Sequence, residues 1–130
     1  MNKILKLLVL SPLFLASCAP VSSYKALVMI SENHANTGSI RFSEFEGTYV
    51  FKLKKQNPGE GAISYTASIE EGNVKVTYIA FTDDELNLFS ITSGESLEGS
   101  GGYIEKGYRV HIIIRSDGKV KNGSFTFDLN

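Results

Sequence analysis

Apolar side chains recur at every second position along most of this chain, and no stretch of ten or more residues has the spacing of an amphipathic helix. Tyr49, Phe51 and Leu53 alternate with Val50, Lys52 and Lys54. Ile63, Tyr65, Ala67 and Ile69 form one run, and Val74, Val76, Tyr78 and Ala80 another. Val110, Ile112 and Ile114 follow, then Phe125, Phe127 and Leu129. A period of two sends alternate side chains to opposite faces of a strand, so each run predicts a half-buried strand. Turn chemistry punctuates them at Asn57-Pro58-Gly59, Asp117-Gly118 and Asn122-Gly123. Short strands between turn signals predict an all-β fold. The expected form is an antiparallel, jelly-roll-like β-sandwich of about seven to eight strands over residues 24–130. No fixed-period repeat is present, which argues against a solenoid or propeller.

Local expectations follow. Tyr24 to Ile30 reads as a short strand and Ser31 to Gly38 as a loop. Glu70-Glu71-Gly72-Asn73 has the length and glycine content of a hairpin loop, which predicts antiparallel pairing of the runs on either side. Ser93 to Gly102 carries four glycines, whose backbone entropy disfavours a regular element. It is expected to be the most flexible loop. Tyr108 to Ile114 is expected to be central, because Ile113 adds an apolar residue to its otherwise polar face. The phenylalanines and six tyrosines alternate as core and cross-strand residues, and no exposed aromatic row for sugar stacking is visible.

The first twenty residues have a different character. Lys3 and Lys6 make a short basic head, and Ile4 to Ala16 is mostly apolar. Small residues follow. A basic head, a short apolar stretch and a small-residue cut site form the pattern of an export signal. The apolar part is short of the ~20 residues a membrane span needs. Leu15-Ala16-Ser17-Cys18 resembles the lipobox of bacterial lipoproteins, and Cys18 is the only cysteine in the chain. The resemblance implies that Leu15, Ala16 and Ser17 are read by the processing enzymes. It implies that Cys18 receives a diacylglyceryl lipid and becomes the new N-terminus. The expected organisation is a signal peptide over 1–17, a lipid-anchored linker over 18–23 and a β-sandwich over 24–130. The expected location is extracytoplasmic, lipid-anchored at a cell membrane or envelope. Two acyl chains hold a protein stably to a bilayer, whereas one does not. The five residues Ala19 to Ser23 reach at most about 17 Å.

Composition narrows the partners. The formal charge of −1 becomes −3 once Lys3 and Lys6 are removed with the signal. No long basic run is present, which argues against nucleic acid and against a polybasic grip on anionic lipid. A lone cysteine leaves the core without disulfides.

Chemistry is sparse. Ser96 in Gly94-Glu95-Ser96-Leu97-Glu98 lacks the last glycine of a nucleophile elbow. His34 and His111 are isolated, and two separate histidines do not make a zinc site. Asp83-Asp84-Glu85, followed by Asn87, is the one oxygen-rich cluster. It lacks the glycine and distal glutamate of an EF-hand, and it reads as a solvated turn, with calcium left open. No catalytic residue, cofactor or metal is expected. Gly107-Tyr108-Arg109-Val110-His111-Ile112 and Gly123-Ser124-Phe125-Thr126-Phe127 resemble the closing hairpin of small secreted β-sandwiches, such as bacterial pre-peptidase C-terminal domains. That resemblance implies a sandwich and no activity. The expected function is that of a non-enzymatic binding or structural module, with an envelope glycan or protein as partner. The alternative is an extracytoplasmic enzyme or enzyme inhibitor acting on envelope polysaccharide, the inhibitor presenting the Ser93 to Gly102 loop.

Overall fold

A computed structural model describes residues 20–57, 61–80, 84–104 and 109–129. Leu15, Ala16, Ser17, Cys18 and Ala19 lie outside the described residues. So do Pro58-Gly59, Asp83 and Gly107-Tyr108. Nine strands follow in chain order: β1 (Ser23–Leu27), β2 (Ile30–Asn33), β3 (Thr37–Lys54), β4 (Gly61–Glu71), β5 (Asn73–Ile79), β6 (Leu86–Thr92), β7 (Ser96–Ile104), β8 (Arg109–Ser116) and β9 (Val120–Asp128). All pairings are antiparallel. The fold is an all-β antiparallel sandwich, as the alternation predicts.

The nine strands behave as five long ones, each bent near its middle. β8 pairs with residues 48–54 of β3 and β9 with residues 37–45, so β8 and β9 lie end to end along one side of β3. β5 and β4 lie end to end along the far side of β8 and β9. β6 and β7 do the same along β5 and β4. β1 and β2 occupy the other side of β3. Every bend holds a residue at positive φ, namely Val28, Gly47, Gly72, Gly94 and Gly118. The sheet is thus folded over along one line into two leaves. The first leaf holds β6, β5, β8 and the C-terminal part of β3. The second holds β7, β4, β9 and the N-terminal part of β3.

The core lies between the leaves. Phe51 and Phe89 from the first leaf meet Phe127 of the second at ring distances of 5.7 and 6.3 Å. Tyr65 stacks on Phe89 at 4.3 Å. Gly38 leaves the space that the Phe51 ring fills, for a Cβ there would lie 2.6 Å from the ring. Val110, Ile112 and Ile114 face this core, and Ile113 is fully buried on the opposite side of the same strand. β8 is central, between β3 and β5.

Several local expectations are overturned, for one physical reason. The runs around Glu70–Asn73 do not pair as a hairpin, nor do β8 and β9. Each continues past its glycine into the other leaf. A glycine with positive φ marks a corner as readily as a reversal. Bending keeps the apolar side of a long strand facing inward in both leaves, which a straight strand of that length cannot do. Ser93 to Gly102 is mostly strand β7. Its glycines serve packing, since a Cβ on Gly99 would meet the Tyr65 hydroxyl at 2.9 Å. The protruding inhibitory loop is therefore absent. Asn122-Gly123 lies inside β9, where Gly123 makes room for the Phe42 ring. Ser31 to Asn33, expected to be loop, belong to strand β2.

Val28 is a β-branched residue at φ 46° and is 78% exposed. That backbone region costs a branched residue about 1–2 kcal/mol. Val28→Gly is expected to raise unfolding free energy by up to about 1 kcal/mol, less than the full strain because glycine also loosens the unfolded chain. Urea denaturation of the two proteins measures it.

Candidate functional site

The outer faces of the two leaves differ in chemistry. On the first leaf, β3 turns Thr48, Val50, Lys52 and Lys54 outward. Register places Lys54 opposite Arg109, Lys52 opposite His111, Val50 opposite Ile113 and Thr48 opposite Arg115. β5 adds Lys75 beside Arg115 and Thr77 beside Ile113. Lys52, Lys54, Lys75, Arg109 and Arg115 are all exposed. Among the described strand residues on this face there is no carboxylate.

One carboxylate reaches over the face from outside the strands. Glu85 pairs with Arg115 through both of its oxygens. It also accepts a hydrogen bond from the Thr77 hydroxyl at 2.6 Å. The Arg115 hydrogen bonds hold the Glu85 carboxyl below its usual range, with smaller help from Thr77 and Lys75 and against a partial desolvation penalty. A carboxylate with a depressed folded-state pKa stabilises the fold above its unfolded pKa, and that stability is lost as pH falls through the folded value. Glu85→Gln is expected to cost about 0.5–1 kcal/mol at neutral pH, as for a partly solvated pair. The gap between the two proteins should close in acid, which a urea series against pH reads directly.

His111 is half-buried between Lys52 and Ile79. Burial lowers its pKa, and the Lys52 charge lowers it further. Lys52→Gln is expected to raise the His111 pKa, as followed by its ring proton shifts in an NMR titration. An unchanged value would mean that Lys52 does not set the potential on this face.

The outer face of the second leaf is a field of hydroxyls. Three rows cross β7, β4, β9 and β3. The first is Ser100, Ser64, Asp128 and Thr37. The second is Glu98, Thr66, Thr126 and Ser39. The third is Ser96, Ser68, Ser124 and Arg41. Every position is Ser or Thr except Asp128, Glu98 and Arg41. Two adjoining shallow depressions run along β7, β4 and β9, and Glu98 lines both. Asp128 lines one of them. Glu98 is exposed on an open surface. Paired carboxylates that cleave glycosides act instead with one of them shielded from water.

The residues singled out in the sequence separate in space. Glu85 serves the Arg115 pair, Asp84 is exposed, and Asp83 lies outside the described residues. Among the described residues no group of three or more His, Cys, Asp or Glu side chains can hold a metal ion. Ser96 belongs to the hydroxyl rows. His34 is exposed beside β2 and far in sequence from His111. Neither face is visible as a run in the sequence. Each is assembled from alternate residues of strands distant in the chain, and the signal available was the polar half of each alternating run.

No family model matches the chain, and no curated protein matches it. Solved structures resemble it at low similarity. One described as a CBM4 has 9% identity and a TM-score of 0.43, covering 88% of this chain and 83% of its own. The C-terminal CBM6 of a laminarinase from Zobellia galactanivorans has 9% identity and a TM-score of 0.43, covering 80% and 90%. The cupin domain of Drosophila melanogaster CENP-C has 13% identity and a TM-score of 0.35, covering 84% and 75%. Likenesses this distant carry no functional assignment.

Proposed function

We propose that this chain is a lipid-anchored extracytoplasmic lipoprotein whose sandwich is a non-enzymatic binding or structural module at the cell envelope. The observation that carries the reading is Leu15-Ala16-Ser17-Cys18, with the sole cysteine five residues ahead of the first strand. A diacylglyceryl group on Cys18 would hold the sandwich within about 17 Å of a bilayer. The partner is an envelope glycan or protein. The hydroxyl rows of the second leaf support it, because exposed Ser, Thr and carboxylate groups at strand spacing offer many donors and acceptors to a polar, extended ligand. The test is the thermal midpoint of the mature protein against envelope glycans, peptidoglycan fragments and calcium. A ligand at 100 times its Kd stabilises by about 2.7 kcal/mol, a shift on the order of 10 °C for a domain this size. Thr66→Arg and Ser124→Arg should abolish the shift if the hydroxyl face is the site. A glycan shift that survives both substitutions would place binding elsewhere.

A further inference from the structure

The basic face of the first leaf lies on other strands than the hydroxyl rows, apart from β3, which the two share. Lys52, Lys54, Lys75 and Arg109 come from three adjoining strands, and among the described residues none of them forms an ion pair. Neighbouring strands lie about 4.8 Å apart and alternate residues on a strand about 6.7 Å apart. Lys54 stands one outward position from Lys52 along β3 and directly opposite Arg109, so these three charges lie within a Debye length of about 8–10 Å and their fields add. Lys75, two strands across and two rows along from Lys52, flanks them at about 16 Å. A depression at one end of the face has Lys52, Lys54, Gln56, Arg109 and His111 in its lining.

The start of the chain lies beside this face. The Val50 N–H donates to the Ser22 hydroxyl at 2.9 Å, and Ser23 pairs with Thr48. The chain before Ser22 therefore leaves along the first leaf, level with Val50. Four residues separate Ser22 from Cys18, at most about 14 Å of extended chain. A lipid on Cys18 would enter the bilayer within that distance of the basic face.

We infer that Lys52, Lys54 and Arg109, flanked by Lys75, form a docking surface for a bilayer carrying anionic headgroups, which lays the first leaf on the membrane and turns the hydroxyl face away from it. The inference rests on the lipid-anchor reading for its orientation. A diacylglyceryl anchor holds the chain to the bilayer by itself, and the basic patch would set which face lies against it. The three clustered cations are expected to favour anionic over neutral bilayers by on the order of a hundredfold.

The test uses the mature protein reconstituted in phosphatidylcholine vesicles, with and without phosphatidylglycerol, and lysine acylation read by mass spectrometry. Lys52, Lys54 and Lys75 are expected to react several-fold more slowly on the anionic vesicles, with the difference lost at high salt. Lys119, at the bend, is the internal control and should not change. Equal labelling on both vesicles overturns the inference, and so does protection by a soluble polyanion but not by the anionic vesicles. The exposed triple variant Lys52→Glu, Lys54→Glu and Arg109→Glu should lose the remaining protection at Lys75 while keeping its thermal unfolding transition. The mass of the N-terminal peptide separates the two readings. Lipid present with unprotected lysines sinks the docking surface alone. Lipid absent, with binding to anionic vesicles only, sinks the anchor alone.

Discussion

Phe127→Ala is expected to remove about 3–5 kcal/mol of unfolding free energy, the range for deleting a buried aromatic ring. Phe127 is fully buried on β9, where its ring meets Phe51 and Phe89 of the opposite leaf. It pairs with Gly38 and Tyr65 within its own leaf. Removing it takes away contacts on both sides of the core at once. A small domain has about 5–15 kcal/mol in total, so the variant should sit near the edge of folding. Urea denaturation of the two proteins measures the difference. A loss under about 1.5 kcal/mol would mean that the leaves do not close on each other at this ring.

Gly47→Ala is expected to cost about 3 kcal/mol or more, combining backbone strain with overpacking. Gly47 sits at φ 129° in the bend of β3, a conformation that side chains with a Cβ rarely adopt. An alanine Cβ there would press on the Ser23 carbonyl oxygen and lie 2.7 Å from the Tyr24 Cα, both backbone atoms of β1. The same residue donates its N–H to the Ser116 hydroxyl at 2.8 Å, tying the bend of β3 to the end of β8. The substitution should therefore loosen β1 as well as lower stability. Hydrogen exchange should show faster amides over β1 and residues 44–48 of β3. A mild, uniform loss would mean that the bend tolerates a side chain and is not what folds the sheet over.

The sequence made the strands legible and hid how they are joined. Alternation at Ile63–Ile69, Val74–Tyr78 and Phe125–Leu129 identifies which side chains face the core, because burial on one face needs nothing beyond period two. Pairing is decided by distant partners. Gly72 reads as a hairpin tip because glycine serves turns and corners alike, and only the presence of β8 and β9 alongside makes it a corner. Ser93 to Gly102 reads as loose because glycine weakens isolated strands. Gly99 and Gly102 are instead shaped by the Tyr65 and Tyr78 rings above them. The basic face was hidden for a related reason. Lys52 and Lys54 on one strand and Arg109 on another are unremarkable singly, and they become a patch only in register. The absence of a basic run in the sequence therefore does not speak against a basic surface in the fold.

The central claim concerns Cys18, and the mass of the N-terminal peptide of the mature protein tests it most directly. The account predicts a chain that begins at Cys18 and carries a diacylglyceryl group. A mature chain that retains Leu15-Ala16-Ser17, or begins elsewhere with an unmodified Cys18, would contradict it.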